Sequence, residues 1–81
     1  MKEFLMSVEY SNKKTELKTY ANTVESAVDN MVQLDHVDKL YAILDTESLE
    51  SWDFDQDLAY LRDLRKQMPD NMAMLFTVEK N

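Results

Sequence analysis

Three aspartates stand two residues apart at Asp53, Asp55 and Asp57, and this D-x-D-x-D spacing is the one that opens an EF-hand calcium loop. The rest of such a loop is missing, because the glycine required at its sixth position and the bidentate glutamate required at its twelfth are here Leu58 and Leu64. The same acids have a structural interpretation, in which Asp53 or Asp55 caps a following helix and Asp57 lies in its first turn. The sequence therefore predicts no metal and no cofactor.

These aspartates belong to an acidic segment that runs from Asp45 to Asp57. The segment holds six acids and no base, whereas the rest of the chain holds ten acids and nine bases, so almost all of the formal net charge of −7 is local. An acidic field repels nucleic acid phosphates and anionic membranes, which argues against direct binding of either and favours a basic protein surface as partner. The alternative is a solvated acidic loop with no partner.

The predicted partner-binding residues are the carboxylates and the two aromatic side chains of this segment: Asp45, Glu47, Glu50, Trp52, Asp53, Phe54, Asp55 and Asp57. A row of carboxylates competes for the same lysines and arginines as duplex DNA, which carries one charge per about 1.7 Å of its axis. Aromatic side chains beside the row would supply desolvated anchors. For Trp52 the alternative is a lid over the edge of the core, because tryptophan is usually well buried.

Two residue types are absent, and their absence excludes several chemistries. The 81 residues include no glycine, although average usage is about 7%, so neither a P-loop nor a dinucleotide fingerprint is present. Without cysteine there is no thiolate nucleophile, no disulfide and no Cys-type zinc site. A catalytic carboxylate pair would need a concave pocket, for which a domain of this size has little volume. The sequence therefore predicts a protein that is not an enzyme.

The first half of the chain predicts a hairpin and a helix. Residues 2–10 and residues 15–21 alternate with the two-residue period of a strand, and a polar turn at residues 11–14 joins them. Asn22 or Thr23 then caps a helix whose apolar residues recur three and four positions apart.

The second half predicts a strand, a helix and a last strand. Residues 38–45 are apolar on both faces, which is typical of a central strand. An acidic connection follows as far as Asp53, and a second helix is marked by the stripe Phe54, Leu58, Leu61, Leu64 and Met68. With a strand at residues 72–80, the predicted fold is a single α+β domain over residues 1–81. It is a two-layer sandwich in ββαβαβ order, with two helices on a four-stranded, mainly antiparallel sheet.

The sheet face that the helices leave open gives an alternative function. It would carry Leu5, Tyr20, either Tyr41 or Ile43, and Leu75, which is more apolar surface than usually meets water. Either the helices straddle the sheet, or this face meets a partner, as it would in a structural or regulatory homodimer joined through this second sheet face. No apolar run is long enough to span a bilayer or to serve as a secretion signal, so we expect a cytoplasmic protein without a membrane partner.

In size, acidity, lack of glycine and cysteine, and its clustered acidic segment (DTESLESWDFDQD, residues 45–57), the chain resembles a class of small acidic phage proteins that disable host factors. Anti-CRISPR, restriction-blocking and glycosylase-inhibiting proteins belong to this class. The resemblance implies a non-enzymatic inhibitor that acts in the host cytoplasm. By mimicking nucleic acid, it would bind a basic protein, above all one that itself binds nucleic acid. The class has no shared motif, so the resemblance assigns no role to any residue.

Overall fold

The computed structural model describes residues 1–67 and 79–80. In chain order, this part of the protein forms β1 (Lys2–Tyr10), β2 (Lys13–Ala21), α1 (Val24–Val32), β3 (Val37–Asp45), β4 (Ser51–Asp57), α2 (Leu58–Gln67) and the two-residue strand β5 (Glu79–Lys80). The strands make one antiparallel sheet in the spatial order β2-β1-β3-β4-β5. The predicted α+β class, with an antiparallel sheet and two helices, is confirmed.

The core lies between one face of the sheet and both helices. Phe4, Met6 and Val8 of β1 are buried, whereas the residues between them are only half-buried, as the two-residue period predicts. Both helices contact β3 and each other. They fill this face with a single apolar cluster, to which they contribute Ala27, Val28, Met31, Val32, Leu58 and Leu61. The helices therefore form one layer and the sheet the other.

The predicted first hairpin and first helix are present with small shifts at their ends. Ser11 and Asn12 both adopt positive φ angles, 49° and 68°, which a tight two-residue hairpin turn requires and which asparagine tolerates well. Of the two predicted caps, Thr23 is the one that acts, because its Oγ1 accepts a hydrogen bond from the Ser26 N–H at 3.1 Å.

The predicted ββαβαβ order is wrong, because residues 51–57 form a strand where an acidic connection and the start of a helix were expected. Phe54 precedes Leu58 by four residues, which is a helical spacing, yet Phe54 is buried from within β4 and α2 begins only at Leu58. Trp52 and Phe54 do alternate with Asp53 and Asp55. That alternation of aromatic and acidic residues was the signal for a strand.

The second helix is capped by a different aspartate from the two that the sequence suggested. Asp57 Oδ1 accepts a hydrogen bond from the Ala59 N–H at 2.8 Å, whereas Asp53 and Asp55 lie within β4. Within the described residues, neither helix has the length and apolar character needed to cross a bilayer.

Part of the predicted C-terminal region lies outside the described residues. The expected strand at residues 72–80 is described only at Glu79 and Lys80, which pair with Asp53 and Trp52 of β4. Met68 and Leu75, assigned to the second helix and to the second sheet face, lie outside as well.

An arginine from α2 joins both helices to β3. The Arg62 Nε donates to the Val32 carbonyl at 2.8 Å, and its Nη2 donates to the carbonyls of Leu34 and Val37 at 2.6 and 2.8 Å. Carbonyls at the end of a helix have no partner within the helix, and α1 has no basic residue in its last turn. Arg62 therefore supplies from α2 the positive charge and the donors that the end of α1 lacks.

Candidate functional site

The acidic segment folds into a hairpin, made of the end of β3, a loop at residues 46–50, and β4. We call residues 45–57 the acidic hairpin. Two backbone hydrogen bonds close its loop: the Asp45 N–H donates to the Glu50 carbonyl at 2.9 Å, and the Leu49 N–H donates to the Asp45 carbonyl at 2.8 Å. The backbone of the loop therefore has a defined shape.

Asp45 is buried and organises this loop instead of facing a partner. Its side chain is 2% exposed, and Oδ1 accepts the N–H groups of Glu47 and Ser48 at 3.0 and 3.2 Å. Burial raises the pKa of the Asp45 carboxyl, but the hydrogen bonds from these two N–H groups and the Lys2 ammonium, 3.6 Å from Oδ2, bring the net pKa below its ordinary value of 3.8. Asp45 is consequently removed from the set of surface residues that the sequence suggested.

A threonine ties the loop to the middle of the sheet. The Thr46 N–H and Oγ1 both reach the Glu3 carbonyl of β1 at 3.2 Å, and Oγ1 also donates to Glu3 Oε2 at 2.8 Å. The bond from Thr46 lowers the pKa of the Glu3 carboxyl below its ordinary value of 4.5, and Lys18, at 3.5 Å, lowers it further. The acidic hairpin is thus anchored at the start of its loop as well as along its strands.

Leu49 is the residue that sequence reasoning missed. It is 74% exposed, and its φ of 64° lies in the left-handed region, which costs a residue with a β-carbon roughly 1–2 kcal/mol. Glu47 and Glu50 are exposed on either side of it. The signal available in the sequence was an isolated apolar residue between two glutamates. In the structure this residue is an exposed leucine among carboxylates.

The two aromatic residues of the acidic hairpin face the core. Trp52 lies opposite Ile43 on the helix-covered side of the sheet and packs, half-buried, against Phe4 with 6.4 Å between ring centroids. Phe54 is buried. The alternative interpretation of Trp52 as a lid at the core edge matches this placement, and each aromatic residue is exposed to a smaller fraction than Leu49 is.

The aspartates of β4 are exposed but differ in their surroundings. Asp53 lies opposite Ala42. Asp55 has a φ of 47° at an irregularity of the strand, and its Oδ1 is 3.2 Å from the Lys39 Nζ. The hydrogen bond from Lys39 to this carboxylate raises the pKa of the lysine. Asp57 caps α2 through one of its oxygens.

Five of the eight predicted residues therefore present carboxylates at the surface of the acidic hairpin: Glu47, Glu50, Asp53, Asp55 and Asp57. Within residues 1–67 and 79–80 the structure brings no three acidic or histidine side chains together in a geometry that could hold a metal ion. The open concavity of about 270 Å³ beside α2 is lined by one carboxylate, Asp35, together with Arg62 and Lys66. It lies away from the acidic hairpin.

The second sheet face is more polar than the sequence suggested. Ile43 belongs to the core, so of the two candidates Tyr41 is the one on this face, and the ammonium groups of Lys14 and Lys39 lie 4.8 and 5.2 Å from its ring centroid. Leu5 is half-buried, and Tyr20 is exposed with its hydroxyl bonded to Glu3 at 3.3 Å.

Comparison of the chain with protein-family models, with curated proteins and with solved structures finds no match.

Proposed function

We propose that this chain is a non-enzymatic binding protein whose acidic hairpin engages a basic protein surface, foremost the surface of a nucleic-acid-binding protein. One observation carries the proposal: Leu49 is held exposed in a left-handed conformation between Glu47 and Glu50, on a loop fixed by Asp45. Backbone strain costs free energy, and strained residues recur at binding sites.

The chemistry of the acidic hairpin suits such a partner. An apolar anchor that is desolvated on binding contributes most of the affinity of a small interface, whereas surrounding charges set orientation, association rate and specificity. Leu49 is the anchor in this arrangement, and the exposed carboxylates of the loop and of β4 attract lysine and arginine. A nucleic-acid-binding surface presents those side chains for phosphates, so occupation by this chain would inhibit it.

Neutralising the charge of the acidic hairpin tests the proposal. The triple variant Glu47→Gln, Glu50→Gln and Asp53→Asn should lose binding while it keeps its fold, because it removes charge without changing side-chain shape. The probe is the protein fraction of a cell lysate that DNA-cellulose retains, passed over the immobilised chain. Wild-type capture should fall steeply as salt is raised and should be displaced by duplex DNA.

A matched control removes the same charge elsewhere. The variant Asp35→Asn, Asp38→Asn and Asp63→Asn changes three exposed acids outside the acidic hairpin and brings the net charge to the same value. It should capture the same proteins as the wild type. Equal capture by the two triple variants, or capture by the wild type that salt and DNA leave unchanged, would contradict the proposal.

Replacing Leu49 by glycine separates binding from stability. Glycine adopts a positive φ without steric cost, so Leu49→Gly should raise the free energy of unfolding by up to about 1 kcal/mol, after the entropic cost of glycine is subtracted. The same variant should bind at least tenfold more weakly, because the apolar anchor is gone. Urea unfolding and capture on the same column measure the two effects. Tyr60→Ala, which removes an exposed aromatic ring from α2, should leave capture unchanged.

The alternative function, a homodimer through the second sheet face, has less support. That face holds the ion pairs Lys18–Glu3 and Lys39–Asp55 at 3.5 and 3.2 Å, and two lysines lie over Tyr41. Covering the face would remove these charges from water. The free energy cost of this desolvation would exceed the small stabilisation that exposed ion pairs provide.

A further inference from the structure

The free edge of β2 has a residue pattern that complements itself. β2 is at one end of the strand order and pairs with β1 along one side; no described residue forms a strand on its other side. It is nine residues long, and six of these residues are exposed. A long edge strand of this kind displays backbone donors and acceptors to which another strand can pair.

We infer that β2 pairs with β2 of a second copy, antiparallel and centred on Leu17, to join two sheets into one. In this register Glu16 lies opposite Lys18 of the second copy on one face of the sheet, and by symmetry Lys18 lies opposite Glu16. Lys14 lies opposite Tyr20, and on the other face Thr15 lies opposite Thr19. Each is an opposite-charge, cation–aromatic or β-branched pair of the type that stabilises neighbouring strands.

Charge selects this register over its neighbours. Because side chains alternate between faces, the strands can slide only in steps of two residues without exchanging the core and solvent faces. One step in one direction places Lys14 opposite Lys18 and Glu16 opposite Glu16, and one step in the other places Lys18 opposite Lys18. Like charges directly opposite each other are unfavourable. The nine-residue overlap is therefore both the longest register and a complementary one.

The contacts of Lys18 and of the Tyr20 carbonyl leave this pairing open, and Lys14 exchanges the Tyr41 ring, 4.8 Å away, for Tyr20 of the second copy. The Lys18–Glu3 ion pair is 3.5 Å long and its side chains are 53% and 34% exposed, so Lys18 can turn to Glu16 of a second copy at modest cost. Asn30 Nδ2 donates to the Tyr20 carbonyl at 3.2 Å, and a carbonyl oxygen accepts two hydrogen bonds. Lysines commonly guard an edge strand against aggregation. Here Glu16 lies between Lys14 and Lys18. Two β2 strands therefore repel each other when they are shifted by one two-residue step, and attract each other in the central register.

Charge exchange tests the pairing. The edge of one strand buries less area than the roughly 1,200–2,000 Å² of stable interfaces, so we expect a weak dimer. Sedimentation equilibrium of the full chain up to millimolar concentration should detect it. Glu16→Lys alone and Lys18→Glu alone each place like charges opposite each other, and each should weaken the dimer at least tenfold.

Restoring complementarity should restore the dimer in two ways. The double variant Glu16→Lys with Lys18→Glu should dimerise like the wild type, and so should a mixture of the two single variants, since each then meets the opposite charge. Asp63→Lys changes the net charge as Glu16→Lys does but lies on α2, and it should leave association unchanged. A monomer at millimolar concentration, or a dimer that the single variants do not weaken, overturns the inference; the second result would point to another surface.

Single cysteines report the register directly, because the chain has no cysteine of its own. Leu17→Cys places two thiols opposite each other with Cα atoms about 4.5–5.5 Å apart, within the range of a disulfide. Thr15→Cys leaves the two thiols about 13 Å apart along the strands. Under mild oxidation the Leu17→Cys chain should form the disulfide-linked dimer much faster than the Thr15→Cys chain. Equal rates would overturn the register.

Discussion

Replacing Arg62 by methionine is expected to lower the free energy of unfolding by about 2–4 kcal/mol, the largest effect of any single surface-reaching side chain described above. Methionine keeps the apolar stem, so the loss isolates the three hydrogen bonds to the carbonyls of Val32, Leu34 and Val37. Hydrogen bonds from a charged donor contribute more than neutral ones, and their loss also removes the cation that donates to the carbonyls at the end of α1. Urea unfolding with an unchanged m-value measures the effect.

Two further variants make this prediction specific. Arg62→Lys retains the charge but lacks the planar fork that serves three acceptors, so it should recover only part of the loss. Lys66→Met removes an exposed charge one turn further along α2 and should change the free energy of unfolding by less than about 0.5 kcal/mol. An Arg62→Met chain as stable as the Lys66→Met chain would mean that the three bonds contribute nothing net.

Removing the Asp45 carboxylate should destabilise the protein and loosen the acidic hairpin at the same time. Asp45→Ala leaves the N–H groups of Glu47 and Ser48 without their acceptor, so Tm should fall by several degrees and hydrogen exchange at these two amides should accelerate. Asp38→Ala removes an exposed carboxylate from the other end of β3 and should leave both measurements near their wild-type values. Unchanged exchange in the Asp45→Ala chain would contradict the role assigned to this residue.

Lowering the pH should remove the stability that the Asp45 carboxylate contributes. Its pKa in the folded protein lies below the ordinary value of 3.8, so under acidic conditions the unfolded chain binds more protons than the folded one. The stability that Asp45 contributes is therefore complete above that ordinary value and is lost as pH falls through the lower folded pKa. The free energy of unfolding of Asp45→Asn should decline less steeply than that of the wild type between roughly pH 5 and pH 2. The free energy of unfolding should keep part of its pH dependence in both proteins, because the pKa of Glu3 is also lowered.

Most of the first half of the fold follows from the sequence, because its signals agree with one another. Phe4, Met6 and Val8 alternate within a polar strand, and Thr23 precedes a helical stripe. β4 was missed since two signals conflict there. Aspartates disfavour strands, and the spacing from Phe54 to Leu58 imitates a helix. Pairing with β3 on one side and β5 on the other, which no local pattern encodes, decides in favour of the strand.

The acidic hairpin shows the same division between local and non-local information. That a carboxylate-rich segment lies at the surface follows from its charge. Which of its acids is buried does not, because Asp45 is selected by the path of the loop that follows it and by Lys2 from the far end of β1. Leu49 and its positive φ likewise depend on how the loop closes, so no hydrophobic period could identify them.

The position of β1 between β2 and β3 has a consequence for the order in which the protein assembles during synthesis. β1 and β2 emerge first and can pair at once, but the other side of β1 has to wait for residues 37–45. Until then Phe4, Met6 and Val8 lack that neighbouring strand, and of the two helices that cover the core only α1 precedes β3 in the chain. The nascent chain therefore passes through a stage with an open apolar hairpin, when it is most vulnerable to aggregation and most accessible to chaperones.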